Sequence, residues 1–159
     1  MTLFLDFLKN YILMSALGSW LMAQVLKFFI TWITNGRPDF RRLFGDGGMP
    51  SGHTVTVICA AVMVGYTCGF ASPLFGIAFI FSIVVMHDAT GVRRETGKQS
   101  RALNIIVEEL FKSNDIKALD THFKELIGHT PLQVVFGFIT GVAAAIALSF
   151  IPAFGVSLL

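Results

Sequence analysis

Four stretches of this chain are too apolar and too long to sit on the outside of a water-soluble fold. They run at about residues 11–34, 54–71, 73–89 and 132–151, against a requirement of roughly 20 apolar residues to cross a bilayer as a helix. Only Gln24 and Lys27 interrupt the first, and Pro152 stops the last. Ser72-Pro73 is the one break between the second and third, which predicts a helical hairpin with a very tight turn. Composition agrees, with 54% hydrophobic and 14% charged residues where soluble domains carry roughly 25% charged. That balance excludes an intrinsically disordered chain, a collagen-like fibre and a soluble nucleic-acid module. The expected fold is all-α, a polytopic membrane helical bundle of about four transmembrane spans plus amphipathic interfacial helices. It should form a single integral-membrane domain over residues 1–159. No signal peptide is expected, because Lys9 is the only early cation and an intact span follows.

The long polar stretch is residues 87–128. Leu103, Ile106, Val107 and Leu110 follow the i, i+3, i+4, i+7 spacing of an amphipathic helix. Ser113-Asn114-Asp115 reads as a stop and a new N-cap, after which Ile116, Leu119, Phe123, Leu126 and Ile127 form a second stripe. Counting crossings puts residues 35–53 and 87–128 on one side of the membrane. Of the 12 Lys and Arg residues, all but Lys9 belong to that side or its boundary, so the positive-inside rule makes it cytoplasmic. Cys59 and Cys68 fall on opposite faces of a helix turning about 100° per residue, and no disulfide is expected.

Three polar clusters fall on that same side. The first, Gly47-Gly48-Met49-Pro50-Ser51-Gly52-His53-Thr54, runs straight into the second span. Its glycines let backbone approach a ligand, a helix start offers unpaired N–H groups to an anion, and His53 can move a proton near neutral pH. The plainer alternative is a Gly-rich turn capped by Ser51. The second cluster, His87 to Gln99, holds Asp88, Arg93, Arg94, Glu95 and Lys98. Paired guanidinium forks match phosphate oxygens, although a basic patch touching anionic headgroups would use the same charges. The third, Gly128-His129-Thr130-Pro131-Leu132-Gln133, combines a histidine with a capping box and Pro at the first helical position.

Lys27 lies about seven residues inside the first span, roughly 10 Å deep at 1.5 Å per residue. A lone lysine there snorkels to the interface or meets an anionic partner, for which Asp88 and a bound phosphate are candidates. Together the clusters bring cations, a helix N-terminus and two imidazoles to one membrane face, where a phosphate group can be bound or attacked.

Pro50-Ser51-Gly52-His53 resembles the second signature of the type 2 phosphatidic acid phosphatase superfamily, which also contains vanadium haloperoxidases. Ala23 to Lys27, Gly47 to Thr54, Asp88 to Gln99 with Leu103-Asn104, and Glu125 to Gln133 are together similar to its divergent bacterial and plant branch. The resemblance implies a metal-independent, cofactor-free phosphatase of a lipid phosphate or diphosphate. By it, His129 attacks phosphorus to form a phosphohistidine and His53 protonates the leaving oxygen. Lys27, Ser51, Gly52 and Arg93 or Arg94 would hold phosphate oxygens, with Lys98 and Arg37 as further phosphate-binding candidates. It also implies inorganic phosphate or vanadate as ligands.

The chain departs from the superfamily pattern at three places. Nine residues separate Lys27 from Arg37-Pro38 where the pattern has six, which weakens Arg37. Val92 stands where a serine precedes the arginine of the third signature. Gln133 occupies the place of a carboxylate that would orient and charge-stabilise the histidine. Either Asp88 or Glu95 substitutes for it, or activity is low, or Gln133 is itself an introduced substitution. The expected partners are membrane lipid and a phosphorylated lipid, with no nucleic acid, in a bacterial plasma membrane. Gly137 and Gly141, spaced as small-xxx-small, can pack helices within the chain, the preferred use, or between two chains in a homodimer. The rival function is a catalytically silent scaffold that binds anionic lipid.

Overall fold

A computed structural model describes residues 2–43, 48–113 and 128–151. Its elements are α1 (Thr2–Leu8), α2 (Tyr11–Asn35), a 3-10 turn (Phe40–Leu43), α3 (Gly52–Cys68), α4 (Pro73–Thr90), α5 (Val92–Ser113) and α6 (Pro131–Ser149). The described residues form no strand, and the all-α membrane bundle expected from the apolar pattern is the fold.

Local chemistry sets each boundary. Asn10 caps α2 by accepting Leu13 N–H at 3.1 Å. Gly36, at φ +67°, ends that helix with its own N–H on Trp32 O, a left-handed position favouring glycine. The α3–α4 turn comes earlier than Ser72-Pro73 alone implies. Gly69 stops α3 at Cys68, Ser72 then caps α4 through Phe75 N–H, and Pro73 takes the first helical position. α6 begins at Pro131, the expected first helical residue, behind a complete capping box from Thr130 and Gln133.

α3 is the hub, packed against α2, α4 and α6. At 17 residues it is shorter than α2, α6 and the run from Pro73 that carries α4 on into α5, each long and apolar enough to cross a membrane. The α3–α6 seam is built from small residues. A Cβ on Gly137 would stand 3.0 Å from Ser51 O, and one on Gly141 only 2.8 Å from Val55 O. The small-xxx-small pair is thus used inside the chain, as expected, and lets two backbones approach where bilayer helices gain most from packing. Cys59, Met63, Ala144 and Ala145 continue this seam as a buried cluster. Cys59 is buried, Cys68 is exposed and both are free. On α4 only Ser82 and Ala89 are buried, and the Ser82 hydroxyl reaches across to Val57 O at 3.0 Å. Ile33, Ile77, Ile80 and Leu132 are exposed, as helix surfaces facing lipid should be.

The segment after the third span differs from its expected form. His87 and Asp88 belong to the last turns of α4, as a third span reaching residue 89 requires. α5 starts at Val92, about a dozen residues before the apolar stripe that announced it. Leu103 and Ile106 on that stripe are exposed among the described residues. The second expected amphipathic helix, over 116–127, lies outside the described residues, as do Gly47 and the tail 152–159.

Candidate active site

Two long-range backbone hydrogen bonds gather the polar clusters at one end of the bundle. Ser51 N–H, at the start of α3, donates to Gln133 O in the first turn of α6 at 3.1 Å. His129 N–H donates to Ala89 O in the last turn of α4 at 3.1 Å. The carbonyls ending a helix have no partner within it, and here one anchors the segment carrying His129. The imidazoles of His53 and His129 consequently face each other, ring centroids 6.1 Å apart and planes inclined by 62°.

His129 is 4% exposed, and its Nδ1 lies 3.2 Å from Gln133 Oε1. The same Oε1 receives Thr130 N–H at 3.0 Å. A backbone N–H can only donate, so the amide atom it meets must be the oxygen. An amide oxygen only accepts, so Nδ1 must carry the hydrogen. In the neutral ring Nε2 then holds the lone pair. Gln133 thereby fixes the tautomer that a carboxylate would fix, through a dipole and without a full charge.

Ser51 is fully buried and caps α3. Its Oγ accepts from Thr54 N–H at 3.4 Å and from the Thr54 hydroxyl at 3.0 Å. With both lone pairs engaged, the Ser51 hydrogen is left to donate to another acceptor. Lys27 does not snorkel. It is 3% exposed, its stem passes Gly48 and its Nζ ends 3.4 Å from where a Gly52 Cβ would stand. Gly48, at φ +87°, takes a conformation that side chains rarely adopt. The ammonium therefore ends beside the start of α3, and a cation next to a helix N-terminus is a combination suited to an anion.

Beside this point, Trp20, His53, Thr56, Val57, Phe81, Val84, Val85 and Asp88 line a cavity of about 510 Å³ between α2, α3 and α4. His53 and Asp88 stand on adjacent helices at its polar end, and the remaining wall is mostly apolar. Asp88 is thus placed with His53, whereas the His129 ring is held by Gln133.

The outer cations are not drawn in. Arg37 and Arg94 are exposed, and Lys98 is exposed and bonded to Glu95 at 2.7 Å. That ammonium holds the Glu95 carboxyl below its ordinary range, first by hydrogen bonding and then by charge. Glu95 therefore serves Lys98 and does not replace the carboxylate missing beside His129. Arg93 lies in the first turn of α5. Trp20 is a lining residue that the sequence did not single out, although it shares the Lys27 face two turns away. Among the described residues no three His, Cys, Asp or Glu side chains cluster as a metal site.

A bundle of apolar helices with two opposed imidazoles, a buried lysine and a serine-capped helix start defines a class, and the chain belongs to it: the Divergent PAP2 family, whose family model matches residues 8–144. Among individual proteins it is similar to the uncharacterized membrane protein YuiD of Bacillus subtilis (strain 168). The two are 34% identical over 155 residues, covering 92% of this chain and 98% of that protein. No solved structure matches the chain.

Proposed function

We propose that this protein hydrolyses the phosphoryl group of a lipid phosphate or lipid diphosphate through a phosphohistidine on His129. The observation carrying this reading is the 3.2 Å contact of His129 Nδ1 with Gln133 Oε1, which assigns the basic lone pair to Nε2 of a ring 6.1 Å from that of His53. In the first step the Nε2 lone pair attacks phosphorus, the bond to the leaving oxygen breaks, and protonated His53 gives that oxygen its proton. The ring becomes a phosphorylated imidazolium, its Nδ1–H charge held by the Gln133 carbonyl. In the second step His53 takes a proton from water, whose oxygen displaces the histidine nitrogen and releases phosphate. Lys27, the opening N–H groups of α3 and the Ser51 hydroxyl stabilise the charge on the phosphoryl oxygens. Arg93 is the candidate to complete that set, while the exposed Arg37, Arg94 and Lys98 contribute to the field drawing anions to this face.

The cavity supports a lipid rather than a soluble substrate. Its volume falls in the range of about 300–1,000 Å³ usual for ligand sites, and its apolar wall leads from His53 and Asp88 toward Phe81. Phosphatidate, phosphatidylglycerol phosphate and polyprenyl diphosphate all meet that description. Asp88 is the proposed carboxylate partner of His53. The cation distribution supports a site on the cytoplasmic face of a bacterial plasma membrane.

A second reading, an anionic-lipid scaffold with the pocket but no turnover, is favoured by Gln133, which brings no charge to the phosphorylated imidazolium. Phosphate release from a panel of lipid phosphates in detergent, with and without vanadate, separates the two. Turnover blocked by vanadate and unaffected by chelator supports hydrolysis. Vanadate or lipid binding without turnover, with activity appearing in Gln133→Glu, supports the scaffold.

A further inference from the structure

Gln24 is buried to 6% exposure within α2, and its Oε1 has no hydrogen-bond partner among the described residues. Inside a bilayer helix this is costly, because a buried acceptor without a partner forfeits its interaction with water and gains nothing in exchange. Leucine or methionine would fill the same volume without that cost. The position of the residue suggests why an amide stands there. Trp20, Gln24 and Lys27 are spaced i, i+4, i+7 and share one face of α2. Both neighbours approach the start of α3, with the Trp20 ring 3.7 Å and Lys27 Nζ 3.4 Å from the Gly52 Cβ position. Gln24 stands between them, on the face turned to the anion cradle.

We infer that Gln24 is a further phosphate-binding residue, whose carboxamide is satisfied only when a phosphoryl group occupies the cradle beside Lys27. An amide suits this role in either protonation state of the ligand. Its oxygen accepts from a P–OH group, and its nitrogen donates to an ionised phosphoryl oxygen. The assignment rests on the phosphate-site reading above, though not on catalysis.

The test pairs stability with affinity in the full-length protein in detergent. Orthovanadate and inorganic phosphate serve as probes by thermal shift, and a short-chain phosphatidate serves for kinetics. Gln24→Leu should melt at the same temperature as the parent or higher. It should lose about tenfold or more in vanadate affinity, with KM for phosphatidate raised to match and kcat within about threefold. Gln24→Glu places an anion against the phosphate and should weaken binding further. Should the Leu variant fail to fold, Gln24→Met and Gln24→Glu carry the comparison. A Leu or Met variant that is stable and binds vanadate as the parent does overturns the inference, leaving the phosphatase proposal standing if turnover persists. A parent that binds vanadate but hydrolyses nothing, with binding lost in Gln24→Leu, upholds the inference and defeats catalysis. A parent that binds neither probe defeats both.

Discussion

His129 Nδ1 lies 3.2 Å from Gln133 Oε1, the same oxygen that accepts the Thr130 N–H in the capping box of α6. One amide oxygen thus closes a helix end and sets which nitrogen of the imidazole is basic. Replacing it with a carboxylate keeps both bonds and adds a charge beside the imidazolium formed on phosphorylation. Gln133→Glu is expected to raise the rate of phosphate release by about tenfold or more. Gln133→Leu removes the tautomer control and is expected to lower it by about 10²-fold or more. The Leu variant should also lose about 1 kcal/mol of stability with the cap, measurable by thermal melting.

The polar and apolar ends of the cavity should separate in kinetics. Asp88→Asn, at the His53 end, is expected to lower kcat about 10- to 100-fold for short and long substrates alike. Phe81→Ala, on the apolar wall, is expected to raise KM for long-chain lipid phosphates while leaving short-chain esters nearly unchanged. Equal effects on both substrate lengths would remove the hydrocarbon chain from this cavity.

Helix packing sets the site through Gly137. A methyl group there meets Thr54 Cβ at 2.9 Å and Ser51 O at 3.0 Å, so α6 must move away from the cap that holds the cradle. Gly137→Ala is expected to cost about 1–3 kcal/mol and to reduce vanadate affinity as well. Gly76→Ala, where a methyl meets nothing within 4 Å, is the control and should change neither.

Glu95 and Lys98 form an exposed pair, and their contribution to stability is small. Because the folded carboxyl is held below its ordinary range, that contribution is present above the unfolded value and fades as pH falls through the folded one. Lys98→Gln should return the Glu95 titration, followed by NMR, to the ordinary range. Glu95→Gln should leave turnover within about threefold, whereas a larger loss would give Glu95 a direct role.

The bundle was legible in the sequence because bilayer spans need only length and apolarity, and the four runs supplied both. Caps were legible too, since Ser72-Pro73 and Thr130-Pro131 with Gln133 announce themselves locally. Helix ends that depend on backbone angles were less so. Gly69 stopped α3 inside a run of apolar residues, and α5 began at Val92, well ahead of its apolar stripe. Single residues of the site, His53, His129, Ser51 and Lys27, were legible as residue types that apolar spans rarely tolerate. Their mutual placement was not, because the bonds that create it, Ser51 to Gln133 and His129 to Ala89, join backbone atoms of segments far apart in the chain. For the same reason, spacing could not show that Asp88 sits with His53 while Gln133 holds His129.

The most direct measurement is capture of the phosphorylated protein. Purified protein is mixed with radiolabelled lipid phosphate, quenched in alkali within the first turnovers, and mapped by mass spectrometry. Label on His129, stable to alkali and labile to acid, absent from His129→Ala and blocked by vanadate, is the expected result. Turnover that survives in His129→Ala, or label carried on any other side chain, would contradict the phosphohistidine mechanism.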